Sequence, residues 1–193
     1  MTYGASNTLT IELGGLAPGD DNRLDPGRMG AFVRYTMDPK TPGSLLDNHV
    51  WALFEDSRGV LWVGTYEGGI AAVDEEGVHV YGTEAGLEAT IVNGIAQDAD
   101  GVLRVATDTG LFVMRDGRFV RSDNPLLSSA FIAEIYRQAD GTMWYTTRDG
   151  LIIYRESGRE HVYNKDGSRG AGTVISILED RERTIWLGMS SGG

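Results

Sequence analysis

The sequence is sparing with the side chains that most often do chemistry. It holds three histidines and no cysteine, which excludes disulfides, thiolate metal sites and Cys–His nucleophile pairs. No Gly-x-Ser-x-Gly elbow occurs. His79 and His161 share one repeated position, which Val33 and Phe119 also fill. A position that accepts Val, Phe and His packs rather than ligates. His49 stands alone in a loop and is the histidine suited to ligand contact. Asp98-Ala-Asp100-Gly101 has the start of a calcium loop, but the third ligand and the distant Glu are missing, so a hairpin turn is the stronger reading. The oxygens of Asp20, Asp21, Asn22 and Asp25 cluster in an irregular stretch and read as a solvated loop. No metal site and no cofactor is expected. Trp62, Trp144 and Trp186 have the ring faces that stack on sugars, but their fixed place in a strand favours packing between neighbouring sheets.

What positions these residues is a repeat. Asp56-Ser-Arg-Gly-Val-Leu-Trp-Val-Gly-Thr65 recurs at Asp98–Thr107, Gln138–Thr147 and Asp180–Met189. The place of Trp62 passes to Arg104, Trp144 and Trp186, in steps of 42, 40 and 42 residues. Within residues 45–82 four short apolar runs are separated by turns: Val50–Phe54, Leu61–Thr65, Ile70–Val73 and Val78–Tyr81. Four short strands joined by hairpins make one blade of a β-propeller, and a period near 42 residues is of propeller size. Val50–Phe54 reads as a strand buried on both faces.

The chain is expected to be all-β, with four-stranded antiparallel blades over 45–82, 87–121 and 127–163 and partial blades at 9–35 and 173–189, in one propeller segment spanning 1–193. Leu45, Leu87 and Leu127 each lie five residues before a first strand and mark the hand-over between blades. Leu9–Glu12 reads as a worn second strand with Thr10 in the Trp62 row, Gly14–Leu16 as a third strand and Phe32–Tyr35 as a fourth. On that count both ends offer a second strand, which favours an open arc of a larger ring; the alternative is a closed four-bladed ring.

Composition bounds the partners. The chain has 193 residues, 41% apolar and 23% charged, with a net charge of −11. That balance suits a globular domain. It argues against nucleic acid and against an anionic membrane surface, because both are held through Lys and Arg. No apolar run is long enough to span a bilayer, and residues 1–6 lack the basic and apolar regions of a signal peptide.

Propeller ligands sit at the end of the ring that collects the loops between second and third strands and the blade-to-blade loops. These positions vary from repeat to repeat while the strands do not, and specificity is normally placed on such loops. They nominate Asn48, His49, Tyr66, Glu67, Asp108, Phe131, Arg148 and Asp149 as ligand-binding residues, with no catalytic residue assigned.

The run Phe32-Val-Arg-Tyr-Thr-Met-Asp-Pro-Lys-Thr-Pro-Gly-Ser-Leu45, followed by Val50-x-x-Leu-Phe-Glu-Asp-x-x-Gly59, Leu61-Trp-Val-Gly-Thr65 and Gly68-Gly-Ile70, resembles the two-component-regulator propeller repeat. Arg104, Ala106 and Arg183 depart from its pattern. The resemblance implies a seven-bladed propeller in the periplasmic sensor portion of a bacterial membrane receptor, completed by further blades, with any kinase or diguanylate cyclase activity in a separate domain. It implies sensing of a small molecule or oligosaccharide, such as a carbohydrate or cell-wall fragment. The other readings are a propeller lyase acting on a polysaccharide or cyclic peptide, and a protein-interaction scaffold.

Overall fold

The computed structural model describes residues 9–12, 32–38, 40, 43–148, 150–154, 160–164 and 174–189. The strands are β1 (Leu9–Glu12), β2 (Phe32–Tyr35), β3 (Val50–Glu55), β4 (Leu61–Thr65), β5 (Ile70–Asp74), β6 (Gly77–Tyr81), β7 (Val92–Gln97), β8 (Leu103–Thr107), β9 (Leu111–Arg115), β10 (Arg118–Arg121), β11 (Ile132–Arg137), β12 (Met143–Thr147), β13 (Gly150–Tyr154), β14 (Glu160–Asn164), β15 (Val174–Glu179) and β16 (Ile185–Met189). The only helical element among the described residues is a 3₁₀ turn at Thr83–Ala85. Strands β3–β6, β7–β10 and β11–β14 form three four-stranded antiparallel sheets in chain order, hereafter blades 1, 2 and 3. β1–β2 and β15–β16 form separate two-stranded sheets, so the strands make an open arc and not a closed ring.

Each first hairpin is built around the residue six before the Trp row. In blade 1, Asp56 Oδ1 accepts the backbone N–H groups of Arg58 and Val60, at 2.9 and 3.1 Å, and Oδ2 accepts the Trp62 indole N–H at 3.0 Å. One carboxylate thus satisfies the turn and the buried donor of the ring together. Asp180 does the same for Glu182, Thr184 and Trp186, and Gln138 Oε1 takes the Trp144 indole N–H at 2.7 Å. In blade 2 the donor is Arg104, whose Nε meets Asp98 Oδ2 at 2.8 Å. Arg104 therefore keeps the donor that the missing Trp would have supplied. The Asp98 oxygens, read in the sequence as a possible calcium ligand, are occupied by Asp100 N–H, Val102 N–H and Arg104.

The same turn needs a left-handed residue. Gly59, Gly101 and Gly141 have φ of 81°, 81° and 88°, and Arg183 holds that place in the last hairpin at 66°. A side chain there carries a steric cost that glycine avoids.

Blade faces pack against one another with the two-residue period of a strand. Trp62, Ile70 and Ala72 of blade 1 meet Val92, Ile95, Val105 and Phe119 of blade 2 in one core. Ala106 and Leu111 meet Leu127, Ile132, Ile135 and Tyr145 of blade 3 in the next, and Leu151 and Ile153 meet Ile177 of β15 in a third. Trp62 is 3% exposed and lies 5.5 Å from Tyr81 and 6.4 Å, edge on, from Phe119. The Trp row therefore packs between blades where a following blade is present. A Cβ on Gly64 would collide with the Val92 side chain, so glycine permits the close approach of blades 1 and 2 there. Leu45, Leu87 and Leu127 are all buried, as hand-over anchors should be.

Two expectations fail. β3 is not buried on both faces: Trp51 is 56% and Leu53 53% exposed. The equivalents of Leu53 (Ile95, Ile135 and Ile177) are buried because a preceding blade covers them. Nor is β1 a second strand. It pairs along its whole length with β2, Leu9 opposite Tyr35 and Glu12 opposite Phe32, which puts it in the third-strand place. A four-residue apolar–polar run fits either place, and only the pairing decides. The proposed third strand at Gly14–Leu16 and the insertion at 17–29 lie outside the described residues.

Candidate functional site

The loops between second and third strands are launched from the same place in all three blades, with one residue more in blade 1. A buried threonine closes each one: Thr65 Oγ1 donates to Gly69 O at 3.0 Å, Thr107 Oγ1 to Gly110 O at 2.7 Å and Thr147 Oγ1 to Gly150 O at 2.8 Å. The next residue is Tyr66, Asp108 or Arg148, so these three hold equivalent places on successive blades. The loops are stitched to the blade-to-blade loops by Tyr66 N–H to His49 O at 3.0 Å, Gly69 N–H to Thr90 O at 3.1 Å and Leu111 N–H to Leu127 O at 2.9 Å. Arg121 adds a clamp, with Nη1 donating to Thr109 O and Ser128 O at 2.6 and 2.8 Å. These bonds tie the loops at this end to one another.

A feature that the sequence did not disclose sits in front of these residues. Every first strand carries a β-bulge at its second residue, between Val50 and Ala52, Val92 and Gly94, Ile132 and Glu134, and Val174 and Ser176. Bulges re-aim side chains next to functional sites. The re-aimed residues are Trp51, Asn93, Ala133 and Ile175. Trp51 stands 4.8 Å from Tyr66, ring to ring, at an interplanar angle of 49°, and both rings are exposed. The signal was present as a tryptophan where the other repeats have Asn, Ala and Ile, but it was absorbed into an apolar run.

Beside that pair, Asp47 Oδ1 meets His49 Nδ1 at 2.9 Å, and Asp47 also accepts the backbone N–H groups of His49 and Glu67. Burial works against charge on Asp47, but the hydrogen bonds from the His49 backbone and imidazole and from Glu67 outweigh it and hold its carboxyl below the usual range. The imidazole is oriented by this contact, with Nε2 as its remaining polar atom.

The nominated residues thus fall into groups. His49, Tyr66 and the Glu67 backbone come together on blade 1. Asn48 turns away, its Oδ1 accepting Met37 N–H at 2.7 Å. Phe131 and Arg148 come together on blade 3, the guanidinium 4.3 Å from the ring centroid. Asp108 stands by itself on blade 2, and its buried Oδ1 has no hydrogen-bond partner among the described residues. Asp149 lies outside the described residues. Elsewhere, His79 is exposed and its Nε2 lies 3.4 Å from Asp74 Oδ1, at the opposite end of the blade. Among the described residues no three His, Asp or Glu side chains gather as a metal site would require.

Comparison with known proteins agrees with the architecture. Residues 44–67 match the family model described as two component regulator propeller. The matched stretch covers β3 and β4 of blade 1, which are similar to the two-component-regulator propeller repeat. No curated protein matches the chain by sequence. Among solved structures, the extracellular domain of a hybrid two component system from B. thetaiotaomicron is similar at 22% identity and a TM-score of 0.67, over 84% of this chain and 23% of that one. A second such domain from the same organism gives 21% identity and 0.62, over 75% and 19%. A catalytically inactive virginiamycin B lyase from Staphylococcus aureus, solved with quinupristin, gives 16% and 0.58, over 82% and 53%. At these identities the likeness establishes the propeller fold. The chain spans between about a fifth and a quarter of the length of the two-component domains it matches.

Proposed function

We propose that this chain is a non-catalytic, ligand-sensing propeller segment of a bacterial two-component-type receptor, working outside the cytoplasm and binding carbohydrate or cell-wall fragments. The observation that carries the ligand reading is the exposed Trp51–Tyr66 pair beside the Asp47-oriented His49. Two ring faces offer apolar contact to the C–H face of a sugar, and a fixed imidazole offers a directional hydrogen bond to a hydroxyl. The receptor reading is supported by the propeller repeat of residues 44–67 and by the fold shared with extracellular two-component domains. Remaining blades of the ring are the natural partners of the two half-sheets.

Calorimetric titration of a glycan panel tests this. Trp51→Ala should weaken binding about tenfold, or ~1.4 kcal/mol, without shifting the thermal midpoint. Binding that is unaffected by Trp51→Ala and Tyr66→Ala would refute the site.

A lyase is the second reading, favoured by the Asp47–His49 pair, since a carboxylate-oriented imidazole is a recognisable general base. Cleavage of a glycan or cyclic peptide that is lost in His49→Ala would establish it.

A further inference from the structure

The equivalent places on three successive blades do not carry equivalent chemistry. On blade 1 the bulge residue and the post-threonine residue are Trp51 and Tyr66, two exposed rings. On blade 2 they are Asn93 and Asp108. Asn93 is committed, its Nδ2 donating to Ile132 O at 2.8 Å across the blade interface, and the unpartnered Oδ1 of Asp108 is buried, so blade 2 offers neither ring nor cation. On blade 3 they are Ala133 and Arg148. Arg148 is exposed, and its guanidinium lies over Phe131 at 4.3 Å. Stacking fixes the plane of the guanidinium and leaves its N–H edge for a partner. None of the ion pairs of the described residues includes Arg148.

We infer that the loop end is polarised along the arc and binds an acidic oligosaccharide, with a sugar face on Trp51 and Tyr66 and one carboxylate or sulfate group on Arg148. This rests on the carbohydrate reading above and adds the charge and direction of the ligand. A guanidinium takes a planar anion through two parallel N–H bonds, which a neutral sugar cannot offer. The net charge of −11 sets a limit on the ligand. A densely charged polymer would be repelled by the whole protein, whereas a single acidic group seated on Arg148 gains the local contact at little long-range cost. Uronates and sulfate esters share this chemistry.

The test uses the intact chain and three neutral probes, xylotetraose, lactose and chitotetraose, each beside a counterpart with one carboxylate and a counterpart with one sulfate. For the sugar that binds, an acidic counterpart should bind about tenfold more tightly, the value of a charge-assisted contact. Arg148→Ala should erase that preference, so that on the variant the acidic counterpart binds no more tightly than the neutral probe measured beside it, and circular dichroism should show the same fold. Whichever of carboxylate and sulfate shows the larger gain identifies the acidic group. Equal binding of neutral and acidic members, or a preference that survives Arg148→Ala, would overturn this inference and leave the carbohydrate reading standing. Failure of all probes would overturn both. Displacement of the bound glycan by an acidic peptide of comparable affinity would overturn the glycan assignment.

Discussion

Asp56 is hydrogen-bonded on both oxygens, and its charge is part of the fold. Burial alone would raise its pKa, but the Trp62 indole, the Arg58 side chain and the N–H groups of Arg58 and Val60 more than offset this and lower it from 3.8 to about 2. A carboxyl whose folded pKa is depressed stabilises the native state above the unfolded pKa, and the contribution disappears as pH falls through the folded one. Asp56 therefore contributes about 2 kcal/mol above pH ~4, lost progressively toward pH ~2. Trp62→Phe keeps the ring and removes the donor. It should cost about 1–3 kcal/mol at neutral pH and flatten the acid dependence, as read from urea unfolding at several pH values. Trp62→Ala, which also empties the space between blades 1 and 2, should cost about 3–5 kcal/mol. An unchanged acid profile in Trp62→Phe would show that the indole bond does not hold the carboxylate.

At the scale of the element, the strands were legible because each blade alternates apolar runs with Asp and Gly turns, and the pairing found in the blades follows those runs. The hairpin chemistry was half legible. The turn residues were visible, but the six-residue link from Asp56 to Trp62 needs the third dimension, although Arg104 opposite Asp98 hinted that a donor was being kept. The bulges were not legible, because a bulge inserts one residue without changing composition, and it is the bulge that turns Trp51 outward. β1 was misplaced for a related reason: its neighbour is fixed by pairing with β2 and not by its own four residues. The left-handed Arg183 gives a prediction here. Arg183→Gly should relieve backbone strain of about 1 kcal/mol, partly offset by loss of the contact to the buried Glu179 carboxylate, which keeps the Tyr136 hydroxyl as a donor. Hydrogen exchange at Glu182 and Thr184 should slow. Faster exchange would mean that the Arg183 side chain matters more than its backbone.

On the scale of the whole molecule, the two ends of the arc are unlike its middle. Trp62 is 3% exposed between blades, whereas Trp186 in the same row is 59% exposed and Leu178 62% exposed on β15–β16. Leu53 is the matching exposed residue on the opposite side. The interface between blades 1 and 2 buries Trp62 against Val92 and Ile95, whereas the end faces leave the matching apolar residues exposed, and exposed apolar faces of this kind favour association. Light scattering should show association that grows with concentration and that is suppressed in a Leu53→Lys, Leu178→Lys double variant. A monodisperse monomer at every concentration would contradict the open faces. Binding at the loop end is the central claim, and the four tryptophans offer one direct reading of it. In an NMR titration with the glycan that binds, the Trp51 indole signal should move, with Tyr66 and Arg148 amides following it. The indoles of Trp62, Trp144 and Trp186 should stay in place. Movement confined to Trp186, or to the turns at 75–77 and 116–117 on the opposite end, would contradict the claim.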